Sequence, residues 1–299
     1  MKPTPVSFAF ALLFAHTLAG QAVSWNDWYI PNFSDRLTVQ VHNPSAKPLH
    51  GLAAIPVVEA QALAPEFPGT LAIAMQVTGA GTEMPASVVP SQAVDLDGDG
   101  QPDQYLVDVN LAPNSSSQVD VYYSRTLRDQ IVFPKRVQAK HNFGYNFQTA
   151  ALESELIGYR TYGAFFLDVQ ARRQGHPGLQ NDLVGYLAIR MNFDTGRDIF
   201  HAGDTLGLGG IFLRREGQVY RPPFDVPDYA HKPSPKMVPH YRVVTDGPLR
   251  AVVEARLEEW TVGEDVVRLK ARYSIDAGQA FVRCWFEVTP VRVKPGQMA

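Results

Sequence analysis

Ten short strand-like runs, each closed by a turn signal, constrain this chain more than any other feature. RLTVQVHN, ASVVP, QYLVDVNL, SQVDVYYS, FFLDVQAR, YLAIRMNF, GIFLRR, YRVVT, LRAVVEARLEEW and FVRCWFEV follow one another through most of the 299 residues. Alternating apolar and polar residues place successive side chains on opposite faces of a strand. Short strands at regular spacing, punctuated by Gly, Pro, Asn and Asp, build sandwiches or barrels rather than βαβ units. No long amphipathic helix competes with them; Val58 to Leu63 suits a turn or two at most. The expected fold class is therefore all-β.

The N terminus has a different character. Lys2 precedes an apolar run from Val6 to Ala15, and Gly20-Gln21-Ala22 supplies small residues for cleavage. That pattern reads as a signal peptide over residues 1–22, with a secreted or periplasmic mature chain. The run is too short for a membrane span, and no later stretch approaches that length. Residues 24–125 are expected to form an N-terminal β-sandwich and residues 130–299 a larger one. The abrupt stop after an apolar strand, at VRVKPGQMA, reads as a truncated C terminus.

Composition narrows the partners. The formal net charge is -3 with 19% charged residues, whereas nucleic-acid binding leaves a strongly basic face. No nucleic-acid partner is expected. The single cysteine, Cys284, rules out an internal disulfide framework and sits in an apolar strand, as an inert thiol does.

Two stretches carry candidate chemistry. The first is DLDGDGQPD, where Asp95, Asp97, Asp99 and Asp103 fall at relative positions 1, 3, 5 and 9 with Gly100 at 6. Hard oxygen ligands around a sharp glycine turn suit calcium, although Leu106 stands where an EF-hand has its bidentate Glu. An Asp/Gly hairpin turn accounts for the same residues. No required cofactor is expected, and a structural calcium and a bare hairpin turn stand side by side as readings of this loop.

The second stretch is His141 to Arg172, HNFGYNFQTAALESELIGYRTYGAFFLDVQAR. Alternation puts Glu153, Glu155, Ile157 and Tyr159 on one face, and Arg160 and Tyr162 on the other. A bulge at Gly158 would turn Glu155 and Arg160 the same way and make a polar groove. A structural Glu–Arg pair braced by tyrosines is the reading this stretch favours by itself, since ion-pair networks perturb residues without doing chemistry. Farther on, the glycines of IFHAGDTLGLGGIFL suit close backbone approach, with His201 at the entrance. His231 lies in the long loop from Pro222 to Pro239, and an Asp246-Gly247 hairpin follows.

HNFGYNFQTAALESELIGYRTYG, FHAGDTLGLGGIFL and VVTDGPLRAVVEARLEEW, in that order, resemble a secreted bacterial family classed as a domain of unknown function, DUF4861. The AVDLDGDGQPDQYL stretch and the Asn43-Pro44-Ser45 turn resemble its N-terminal part. The resemblance implies an oligosaccharide dehydratase acting on a terminal uronic acid. The last third is similar to the supersandwich of galactose mutarotases and several polysaccharide lyases.

Elimination across C4–C5 of a uronic acid needs its carboxylate neutralised, a base for the C5 proton and an acid for the leaving oxygen. Arg160 suits the first by its fixed donor fork. His141, His201 and His231 are candidate bases, and Tyr145, Tyr159 and Tyr162 candidate acids. Glu155, with Glu153 and Asp168, would instead serve a hydrolase. The expected partner is an acidic oligosaccharide. A non-catalytic saccharide-binding sandwich and a mutarotase-like epimerase are the alternatives.

Overall fold

The computed structural model describes residues 30, 32–70, 72–77, 86–124, 131–142, 149–162, 165–172, 179, 196–200, 208–223 and 239–293. The chain forms two compact units, Met1–Phe133 and Pro134–Ala299. Both are built from antiparallel sheets, so the all-β expectation holds. Among the described residues no helix is long and apolar enough to cross a membrane.

The first unit contains β1 (Asp35–Asn43), β2 (Leu49–Pro56), α1 (Val57–Leu63), β3 (Ala72–Val77), β4 (Ala86–Val89), β5 (Ser91–Val94), β6 (Gln104–Leu111) and β7 (Ser115–Tyr123). They make one sheet in the order β1-β7-β3-β4 and another in the order β2-β6-β5. Alternation decides the packing. Leu37, Val39 and Val41 of β1 are buried with Val119, Val121 and Tyr123 of β7 against Ile55, Val107 and Leu111 of the other sheet. Two sheets burying their apolar faces against each other make a sandwich. Asn43 closes the turn after β1: its side chain accepts from the Ser45 N–H at 3.0 Å and donates to the Lys47 carbonyl at 2.8 Å.

The second unit contains β8 (Val137–Asn142), β9 (Thr149–Ser154), β10 (Ile157–Tyr162), β11 (Phe166–Arg172), β12 (Gly196–Phe200), β13 (Leu213–Arg215), β14 (Gln218–Tyr220), β15 (His240–Asp246), β16 (Arg250–Val262), β17 (Asp265–Asp276) and β18 (Arg283–Arg292). The sheet β12-β11-β10-β9-β8 packs on the sheet β15-β16-β17-β18, and β13-β14 is a separate hairpin. Leu152, Tyr159, Leu167 and Val169 of the first sheet are buried, as are Val253, Leu257, Leu269 and Tyr273 of the second. Buried phenols find acceptors, as they must. Tyr159 donates to the Ala280 carbonyl and Tyr273 to the Phe165 carbonyl, both at 2.9 Å.

The β15–β16 turn falls at Asp246-Gly247, as expected. Gly247 has φ +73°, and a Cβ there would lie 2.7 Å from the Val137 carbonyl oxygen. Gly209, with φ +64°, would meet the Cys284 sulfur and Leu167 at 3.1 Å. Close approach is therefore the use of that glycine. Burial pushes the Cys284 thiol up to about 11, which keeps it protonated and inert.

Candidate functional site

The motif-rich stretch does not form a single groove. β10 pairs without a break to both neighbours, with Gly158 opposite Glu153 on one side and Gln170 on the other. There is no bulge at Gly158, so nothing shifts the facing of Arg160. Glu155 is not a strand residue; it lies in the two-residue turn between β9 and β10. There its Oε1 accepts from Arg136 Nε at 2.9 Å, from Nη2 at 2.7 Å, and from the Gly278 N–H at 3.1 Å. Unbroken alternation also sends Tyr159 into the core while Arg160 takes the opposite face, so the two do not flank one site. Burial raises the Tyr159 hydroxyl above its ordinary value.

Arg160 lies directly across from Asp168 and donates from Nη2 to its Oδ2 at 2.7 Å, both side chains being buried. Glu153, on the same face, accepts from Gln138 and from Arg172. Gln138, Glu153, Arg160, Asp168 and Gln170 are all buried. This is a closed polar face in which charges are matched across strands. His141 is exposed near the end of β8, at a position that alternates with Gln138 and so belongs to the other face. Tyr162 occupies the register position two beyond Arg160, opposite Phe166. Tyr145, His201 and His231 lie outside the described residues.

The Asp95–Asp103 segment links β5 to β6. Carboxylate oxygens of Asp95, Asp97 and Asp99 lie within 4.8 Å of one another. Asp103 is outside that group and accepts the Leu96 N–H. The loop's own backbone already uses several of these oxygens. Asp95 accepts from Gly98 and Gly100, Asp97 from Asp99, and Asp99 from Gln101. The bonds from Gly98 and Gly100 lower the Asp95 carboxyl below its usual range.

The outward face of β15–β18 is a different kind of surface. Cross-strand pairing aligns Arg242, Glu254, Arg272 and Trp285 in one row over four strands. His240, Arg256, Lys270 and Glu287 form the next row. Directly opposed residues share a face. Glu254 is fully buried. Its Oε1 accepts from Arg256 Nε at 2.7 Å and Arg242 Nε at 3.1 Å, and its Oε2 from Arg272 Nε at 2.9 Å. Lys270 Nζ stands 3.7 Å from Oε2. Burial pushes the Glu254 carboxyl up, but the bonds from Arg272, Arg242 and Arg256 outweigh it and hold it down to about 2.

A second carboxylate repeats the arrangement farther along the strands. Asp276 accepts from Arg250 Nε at 2.6 Å and Nη2 at 3.0 Å, and from Arg283 Nη1 at 2.6 Å. Burial opposes ionisation here as well, and Arg250 and Arg283 more than offset it. Six cations thus surround two carboxylates, and counting Glu287 the face keeps an excess of three positive charges. Trp285 is 49% exposed, with Lys270 Nζ at 5.8 Å and Arg272 Cζ at 6.0 Å from its ring centroid. The chain as a whole carries a formal charge of -3, so this excess is local.

The family model for a domain of unknown function, DUF4861, matches residues 41–295. The chain belongs to this family. It is 23% identical over 227 residues to "Uncharacterized protein P7" of Formosa agariphila, covering 68% of this chain and 52% of that protein. The chain thus spans about half the length of the curated relative it matches. No solved structure matches it.

Within this DUF4861 chain, Arg242, Glu254, Arg256, Arg272 and Trp285 escaped the sequence reading. One signal was present: Arg250, Glu254 and Arg256 in LRAVVEARLEEW, and Arg268, Lys270 and Arg272 in RLKARYS, recur at even spacing on one strand face. Periodicity locates each on a face but does not say which strands lie side by side.

Proposed function

We propose that this protein is a secreted carbohydrate-active enzyme that eliminates water, or a sugar, from an oligosaccharide containing uronic acid. The observation that carries the reading is the row Arg242–Glu254–Arg272–Trp285 with its neighbour His240–Arg256–Lys270. It offers guanidinium groups for a carboxylate, an imidazole and an ammonium for proton transfer, and an indole for a sugar ring, all on one face.

In this reading Arg242 and Arg256 receive the carboxylate. Neutralising it makes the C5 proton acidic and stabilises the charge that develops on its removal. His240, exposed and directly opposite Arg256, accepts that proton. The electron pair forms the C4–C5 double bond, and the C4–O bond breaks. Lys270 donates a proton to the departing oxygen, which leaves as water or as a sugar hydroxyl. The resemblance of the last third to mutarotases and polysaccharide lyases agrees with a saccharide on a sheet face. His201, His231 and Tyr145 retain the roles expected of them as further candidates.

The test is incubation with uronic-acid oligosaccharides, following the absorbance of a 4,5-unsaturated product. Product from the wild type and a loss of about 100-fold or more in turnover for His240→Ala are expected. Full turnover by folded His240→Ala protein removes the imidazole from the mechanism. The exposed Trp285 also favours a second reading, a saccharide-binding module without catalysis; binding without product selects it.

A further inference from the structure

Resting on that reading, we infer that the β15–β18 face holds a second anion subsite, built from Arg283 and Phe281, and that the substrate is an oligosaccharide bearing anionic groups on more than one sugar. Three observations support it. Arg283 is bound to Asp276 and not to Glu254, so a separate carboxylate fixes it. Its guanidinium carbon lies 5.4 Å from the ring centroid of Phe281, which is 50% exposed. Arg283 and Trp285 alternate on β18 and so share the face that carries the cations, and the Phe281 ring, just before that strand, lies against the Arg283 guanidinium.

Spacing makes this a subsite of its own. Arg250, the partner of Asp276, and Glu254 are four residues apart on β16, about 13 Å at the rise of an antiparallel strand. One sugar carboxylate does not reach both clusters. A chain with anionic groups on successive or alternate sugars does, with Trp285, in the row of Glu254, facing one of its rings. A neutral saccharide would use the two rings and leave the cations without purpose. A nucleic acid would satisfy the cations, but the sequence surrounding the face brings no general basic field, the formal charge being -3.

Calorimetric titration with galacturonic acid and with its tetramer tests the proposal. The tetramer is expected to bind at least about tenfold tighter, a gain worth one power of ten in Kd. Phe281→Ala/Arg283→Ala should abolish that gain and leave monomer binding unchanged. Arg283→Lys keeps the charge and should restore part of the gain, and Phe281→Ala alone, at an exposed ring, provides a variant whose folding is not in question. Equal affinity for monomer and tetramer overturns the second subsite, and so does a double variant that keeps the full gain. A single-stranded oligonucleotide binding as tightly as the tetramer overturns the saccharide assignment. If the length dependence holds but no unsaturated product appears, the elimination reading fails while the subsite stands.

Discussion

Glu254 is the residue on which the outward face of β15–β18 turns. Removing its charge leaves Arg242, Arg256, Lys270 and Arg272 to repel one another around a neutral centre. Glu254→Gln should therefore cost about 3 kcal/mol, measured by urea unfolding at neutral pH. The pH dependence has a definite sign. The folded carboxyl titrates near 2 against an ordinary 4.5, so the unfolded chain takes up its proton first. Its contribution is fully present above about pH 4.5 and disappears as pH falls through 2. Unfolding midpoints followed from pH 5 to pH 2 should fall in wild type and fall less in Glu254→Gln. Arg160 offers a contrasting case. Arg160→Lys keeps the charge but loses the Nη2 donor that meets Asp168 in a buried position, at about 1–3 kcal/mol of stability. Turnover per folded molecule should be unchanged; a selective loss of turnover would return Arg160 to the site. Asp95→Asn should lower the melting midpoint, because the Gly98 and Gly100 N–H groups lose a charged acceptor. Calcium is the matching ligand test: a cation bridging Asp95, Asp97 and Asp99 raises the midpoint, and an unchanged midpoint leaves the loop a turn held by its own N–H groups.

At the scale of elements, the strands and turns were legible because their causes are local. RLTVQVHN alternates and becomes β1; Asn43 and Asp246-Gly247 turn the chain where their chemistry favours turning. Gly247→Ala should destabilise by roughly 1–3 kcal/mol, since it puts a Cβ on a left-handed residue and against the Val137 carbonyl. Thermal melts read this directly. The misreading at Gly158 has a physical origin. Whether a glycine marks a bulge depends on what its partner strands do, and β9 and β11 pair straight past it. The Arg160–Asp168 pair is eight residues apart in sequence and invisible until β10 and β11 are set in register. The same limit hid the Arg242–Glu254–Arg272–Trp285 row, which collects residues from four strands. Parity was readable; adjacency was not.

At the scale of the molecule, a chain of formal charge -3 presents a locally cationic face on β15–β18. For the proposed acidic oligosaccharide, long-range attraction is then weak, and the proposed recognition rests on contacts within the face. Raising ionic strength from 0.01 to 1 M shortens the screening length from about 30 to about 3 Å. Binding of tetragalacturonate should weaken severalfold over that range, and binding of a neutral oligosaccharide should not change, as read by titration at each salt concentration. An affinity for the acid that is insensitive to salt would place its contacts away from these cations.

Long cationic side chains are usually poor hands, because gripping a ligand ends their motion, at roughly 0.5–1.5 kcal/mol for each one immobilised. Glu254 and Asp276 hold six of them from beneath before any ligand arrives. Those ion pairs do part of the freezing during folding. An anion landing on this face meets a rigid lattice of charge rather than a brush of mobile arms, so little of its attraction is lost to ordering the protein.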